Sequence, residues 1–178
     1  MARIPLPSRE TLEDEAHVAR WDRAAERGPV LNVTRMFFVN PAIETNAIQV
    51  WRACGLDGRK REIVILRAAF QKRSTYEWHQ HVRIARGEGL SDAEINAVRN
   101  WRESSLFDGD ERALLAYVDE LAANPRPSDE SLAAIRNGRS DAEIFGITYL
   151  VTLYFQLAHM MAAFDLETEV PFVGWEVG

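Results

Sequence analysis

The stretch STYEWHQH, residues 74–81, holds two histidines, a glutamate and two aromatic residues. Glu77 and His81 are four apart, so on a helix their side chains share a face, continued by Ile84 and Glu88. A carboxylate beside an imidazole favours its charged form and fixes its orientation, as a general acid or base requires. Glu62 is a second candidate acid. It stands near the start of an otherwise apolar helix, where an unpaired charge is costly, so it needs a partner, and the adjacent helix is the nearest source. A working site would bring Glu62, Glu77 and His81 within hydrogen-bond reach, directly or through one water, beside a concave pocket. The plainer reading is a Glu–His surface pair worth about 0.2–0.5 kcal/mol.

The same spacing puts Trp78, Val82 and Ala85 on an apolar stripe and turns His79, Arg83 and Arg86 toward solvent. Ser74 is placed to cap the helix. A nucleophilic Ser74 would need His81 within about 3 Å as its base. His159, with Thr148, Thr152 and Gln156, forms a polar stripe that either lines a pocket or bonds other helices. No metal is expected, because E-x-x-x-H lacks a second half and H-E-x-x-H is absent. Gly-rich phosphate loops, nucleophile elbows and C-x-x-C are absent too, so no cofactor is expected.

The elements that must carry these groups read as helices. Ile43, Ala47, Trp51 and Cys54 fall on one face of a helix with Pro41 near its first turn, and Cys54 is then a small core residue. Asp57 caps a mostly apolar helix through Gln71. The helix bearing His81 runs from about Thr75 to Arg86 and stops at Gly87 and Gly89. Ser91 and Glu94 form a capping box, with Leu90 and Ile95 as its hydrophobic staple. DERALLAYVDELAA is a further amphipathic helix ended at Asn124-Pro125. No period-two alternation persists, so the chain is all-α. DGRKREIVILRA (57–68) resembles DGDERALLAYVD (108–119), and SDAEI occurs at 91–95 and 140–144. Intervals of 51 and 49 residues favour a weak internal repeat.

With 178 residues, 47% of them hydrophobic, the chain is expected to form one globular domain. A net charge of −6 argues against nucleic acid as a partner. One cysteine forbids an intrachain disulfide and fits the cytoplasm, and the N-terminus lacks the apolar stretch of a secretory signal. Residues 144–164 carry no Asp, Glu, Lys or Arg. Their Thr, Gln and His content and acidic flanks predict a helix buried on nearly all sides, in a core or a subunit interface, not a membrane anchor.

KREIVILRAAFQKRSTYEWHQHVRIARGEGLSDAEINAV, about residues 59–98, resembles the carboxymuconolactone decarboxylase-like family, which shares its all-helical fold with the alkylhydroperoxidases. Looser similarity extends the family core over about 41–165, leaving 1–40 as an N-terminal extension and 166–178 as a tail of a single domain, an antiparallel helical bundle. In the peroxidase branch a glutamate serves a C-x-x-C-x-x-x-H motif. Aligned on the histidine, His81 matches it and Glu62 matches the glutamate, while Ser74 and Glu77 occupy the cysteine positions. That departure argues against dithiol peroxidase activity. The resemblance implies the thiol-free branch, a cofactor-independent lyase that decarboxylates a small carboxylated lactone or related acid.

In that reading His81 handles the proton, Glu77 or Glu62 orients it, and Tyr76 donates to the developing oxyanion. Tyr76 and Trp78 would wall the pocket, and Arg67 or Arg73 would take the substrate carboxylate. The alternatives are a peroxidase-type or antioxidant oxidoreductase of the same fold with non-standard chemistry, using Cys54 or a partner's thiol, and a non-catalytic oligomeric binding protein. The resemblance also implies a homo-oligomer (dimer, trimer or hexamer), for which the apolar C-terminal helix and the tail VPFVGWEV would supply surface.

Overall fold

A computed structural model describes residues 2–41, 43 and 47–178, and among these every regular element is helical. The α-helices are α1 (Glu15–Ala25), α2 (Asn32–Phe37), α3 (Ala47–Ala53), α4 (Gly58–Gln71), α5 (Thr75–Gly87), α6 (Asp92–Ala97), α7 (Gly109–Ala123), α8 (Asp129–Arg136) and α9 (Asp141–Ala163). Short 3-10 turns stand at Arg9–Thr11 and Val98–Glu103. The fold is an all-α bundle.

The start signals read from sequence are the ones used. Asp57 accepts Lys60 N at the head of α4, and Ser74 accepts Glu77 N at the head of α5. Ser91–Glu94, Asp108–Glu111 and Ser140–Glu143 each close a reciprocal capping box. Both halves of the internal repeat therefore begin helices at matching points, α4 with α7 and α6 with α9. Arg59 ties them together, donating to Glu94 and to Glu111. The helix read from Pro41 begins at Ala47 in the described residues, and residues 42 and 44–46 lie outside them.

Helix α4 is the central element, packing against α5, α7 and α9. One core gathers Val64, Ile65 and Ala68 with α7 and the buried side of α9, and includes Cys54. A second gathers Ile63, Leu66 and Ala69 with Trp78, Val82 and Ala85 of α5 and with Ile95 of α6. A third joins Met36 of α2 to Tyr76 and the end of α9. Because α4 contributes to two cores, Glu62 is carried into the interior among apolar neighbours.

Helix α9 is long and apolar enough to span a bilayer, and 61% of its apolar window is buried within the protein. It is not covered all round, however: Phe145 is 70% exposed and Tyr149 49%, on a stripe shared with Thr152, Gln156 and His159. The aromatic tail folds back on its own chain. Trp175 packs on Phe70 and Trp78, Gly174 O accepts Trp78 Nε1, and Val177 exchanges two hydrogen bonds with Asn96.

Glycine matters at one close approach. A Cβ on Gly146 would stand 2.8 Å from both Ala53 O and Cys54 Cα, so only glycine lets the end of α3 rest against α9. That contact sets Trp51 beside Tyr154.

Candidate functional site

Glu62 reaches His81 because α4 and α5 pack side by side, joined by a tight turn. Ser74 N bonds Ala69 O and Arg73 N bonds Phe70 O, with Arg73 in the left-handed region at φ 54°. Glu62 Oε2 lies 2.6 Å from His81 Nδ1, and both residues are buried. The other carboxylate oxygen accepts Arg61 Nε at 2.9 Å, and Arg61 continues to Glu88 at 2.8 Å. Glu62 is thus held by a cation and an imidazole together, which is what a fully buried carboxylate requires.

On the far side of the ring, His81 Nε2 lies 3.1 Å from the Tyr154 hydroxyl, and that hydroxyl accepts Trp51 Nε1 at 2.8 Å. These partners fix the neutral tautomer. A carboxylate only accepts, so Nδ1 carries the proton; Nε2 is then an acceptor, and the Tyr154 O–H donates to it. The rings of Trp51 and Tyr154 meet the imidazole edge-on, with centroids 5.7 and 5.1 Å away. Burial, with Glu62 nearby, holds the Tyr154 phenol well above its usual range, so it stays a neutral hydroxyl.

This array forms one wall of a cavity of about 350 Å³. Helices α1, α2, α3, α5 and α9 all contribute to it, with Val33, Phe37, Ile48, Leu157 and Met161 as apolar walls. The N-terminal extension therefore covers the site, through Arg20, Ala24, Val33 and Phe37. Glu77 also lines the cavity, 3% exposed, and neither of its carboxyl oxygens has a hydrogen-bond partner. Burial pushes its carboxyl well above the usual range, against the lowering effect of the nearby Ser74 hydroxyl.

The structure brings Glu62, Glu77, His81 and Tyr76 to one place and sends the other candidates elsewhere. Glu62, not Glu77, orients the imidazole. Tyr76 lines the cavity, but its hydroxyl donates to Glu169 at 2.7 Å and accepts Val33 N, so its proton is committed. Ser74 caps α5 and does not line the cavity. Trp78 is fully buried in the second core, on the opposite side of α5.

Arg67 is consumed by Asp119 and by the carbonyls of Val98 and Arg99, which anchor the 3-10 turn. Arg73 is held in the α4–α5 turn with its guanidinium over Phe70. His159 is exposed on α9, bonded to its own helix at Phe155 O. His79, expected in solvent, is half covered by the tail and accepts Val173 N. Cys54 is buried away from this cavity, its thiol pushed up by burial, which disfavours the thiolate that redox chemistry needs. Among the described residues no group of three or more His, Cys, Asp or Glu side chains could hold a metal ion.

Sequence reasoning missed Tyr154, Trp51 and Arg61. Trp51 and Tyr154 looked like core aromatics, and Arg61 sat in a basic run. The available signal was that a Trp or Tyr inside an apolar helix needs a partner for its polar atom.

Comparison with known proteins bears on family and fold. Residues 42–120 match the carboxymuconolactone decarboxylase family. YnjA of Escherichia coli (strain K12) is 30% identical over 93 residues, 52% of this chain and 49% of that protein, so the chain spans about half the length of that relative. A protein of unknown function from Agrobacterium tumefaciens is 27% identical, with a TM-score of 0.62 over 70% of this chain and 89% of that one. A peroxidase-related protein from Ralstonia eutropha with an alkylhydroperoxidase AhpD core superposes with a TM-score of 0.79 at 18% identity, covering 99% and 97% of the two chains. Over residues 42–120 the chain is therefore similar to the carboxymuconolactone decarboxylase family, and as a whole it shares the fold of the AhpD core.

Proposed function

We propose that this chain is a cofactor-independent acid–base enzyme. In this reading His81 moves a proton on a small substrate held in the apolar cavity. We assign the reaction to the lyase class, loss of CO₂ from a small carboxylated lactone or related organic acid. One observation carries it: a buried imidazole with Nδ1 on Glu62 and Nε2 on Tyr154, at the wall of a cavity large enough for such a molecule. Glu62 is buried and bonded to His81, which supports a working pair over a vestigial one.

The chemistry follows from the hydrogen bonds. When Nε2 takes a proton, Glu62 stabilises the imidazolium and Arg61 steadies Glu62. The Tyr154 hydroxyl then accepts from Nε2 and from Trp51, and its own proton is free to turn toward the cavity. A proton can pass between His81 and the substrate through Tyr154, which stays neutral overall. In decarboxylation the C–CO₂ bond breaks and its electron pair moves onto the conjugated carbonyl as an enolate. The imidazolium supplies the proton that the carbon takes up, and solvent restores it. The substrate anion and a proton become CO₂ and a C–H bond. Arg20 and Arg83 line the cavity and supply the positive charge that Arg67 and Arg73 do not.

The test is CO₂ release from a panel of small carboxylated lactones, with deuterium uptake from D₂O at the carbon beside the carbonyl. His81→Asn and Glu62→Gln should each lower both rates by about 10²- to 10⁴-fold. Undiminished rates in both variants would overturn the reading. We also propose that the protein is a cytoplasmic homo-oligomer, with the exposed, stacked Phe145 and Tyr149 of α9 in its interface. Sedimentation of the wild type against Phe145→Glu checks that association.

A further inference from the structure

Glu77 is an acidic group of the cavity that the relay leaves unused. Its contrast with Glu62 is informative. Both carboxyls are buried, but each Glu62 oxygen has a partner and neither Glu77 oxygen does. A carboxylate without a cation or donor in apolar surroundings takes up a proton instead. Glu77 lines the same cavity as His81 and Tyr154.

Other polar side chains of the cavity already have partners. Tyr76 and the Gln80 amide both donate to Glu169, and Tyr154 and His81 bond each other. The Glu77 carboxyl is thus a buried hydrogen-bonding group of the cavity with neither oxygen partnered.

We propose that Glu77 is a second functional group of this site: as a carboxylic acid it donates a hydrogen bond to a carbonyl oxygen of the bound molecule. The cavity then selects a small apolar ring or chain carrying a conjugated carbonyl over the same skeleton without the oxygen. The proposal rests on the acid–base reading for its use in turnover, but not for binding. In the reaction the electron pair from the breaking bond arrives on that oxygen, where a neutral donor stabilises it and an ionised Glu77 would repel it. The Glu77 proton is shared with the enolate and returns when the carbon is protonated from His81, so Glu77 ends as it began.

The test is infrared spectroscopy of the protein at neutral pH with cyclohex-2-enone as probe, in the wild type, Glu77→Gln and Glu77→Leu. The wild type should show a carboxylic-acid C=O band that Glu77→Gln lacks. The carbonyl stretch of the enone should fall in frequency on binding. That shift should persist in Glu77→Gln, whose amide still donates, and vanish in Glu77→Leu, with about tenfold weaker binding. Cyclohexene should bind all three forms alike. Absence of the acid band, a shift that survives in Glu77→Leu, or failure of the enone to bind the wild type would each overturn the proposal. Glu77→Gln preserves shape, so its spectrum remains a fair test should Glu77→Leu fold poorly. If these results hold while no lactone is decarboxylated, the lyase reading fails and this one stands.

Discussion

The Tyr154 hydroxyl lies 3.1 Å from His81 Nε2, a contact between side chains 73 residues apart in sequence. It completes a chain of hydrogen bonds from Trp51 through Tyr154 and His81 to Glu62 and Arg61. Each member depends on its neighbours for polar satisfaction inside an apolar core, so single changes should be felt beyond the atom removed.

Tyr154→Phe leaves Trp51 Nε1 and His81 Nε2 without their partner. The expected loss of stability is about 1–3 kcal/mol, measured by urea denaturation. A double-mutant cycle with Trp51→Phe should show the two losses to be less than additive, because the second change removes the donor that the first one orphaned.

Glu62→Gln keeps the shape but removes the charge that Arg61 and His81 both face. Breaking a buried pair by changing one partner costs about 3–5 kcal/mol, and Arg61 retains Glu88, so the lower end is expected. Thermal unfolding of the variant beside the wild type checks this.

The raised Glu77 carboxyl makes stability depend on pH in a defined direction. The folded protein holds this proton more tightly than the unfolded chain does. The contribution is therefore fully present below the ordinary glutamate value of 4.5 and is lost as pH rises through the folded value. Glu94 acts oppositely: its Arg59 partner and the Ser91 cap hold it at about 2, so its contribution is present above 4.5 and is lost as pH falls through about 2. Urea midpoints across pH should show Glu77→Gln flattening the alkaline limb and Glu94→Gln the acid one.

Gly146→Ala tests whether the close approach of α3 to α9 holds the relay together. The added Cβ meets backbone at 2.8 Å, which cannot yield as a flexible side chain would. A cost of about 1–3 kcal/mol is expected, together with a change in tryptophan fluorescence as Trp51 leaves Tyr154. An unchanged spectrum and melting temperature would show that α3 is not set by this contact.

What the sequence determined by itself is local. Capping pairs such as Ser91–Glu94 and Asp57 act over three residues, and the apolar stripe of Trp78, Val82 and Ala85 repeats at helical spacing, so helix positions and the all-α class were legible. Glu62 was legible as a residue needing a partner, because a charge in an apolar helix is costly wherever it lies. The tertiary structure decided which partner each polar group found. Spacing along α5 placed Glu77 on the His81 face, yet the packing of α4 against α5 gave Glu62 the imidazole and left Glu77 alone. Arg67 could be read as a substrate cation until Asp119, 52 residues away, proved to hold it. Tyr154 and Trp51 were hidden among core aromatics because their polar atoms matter only where α3 and α9 meet. Hydrogen bonds form between atoms within about 3 Å of each other, and for residues on different helices that distance is set by how the helices pack.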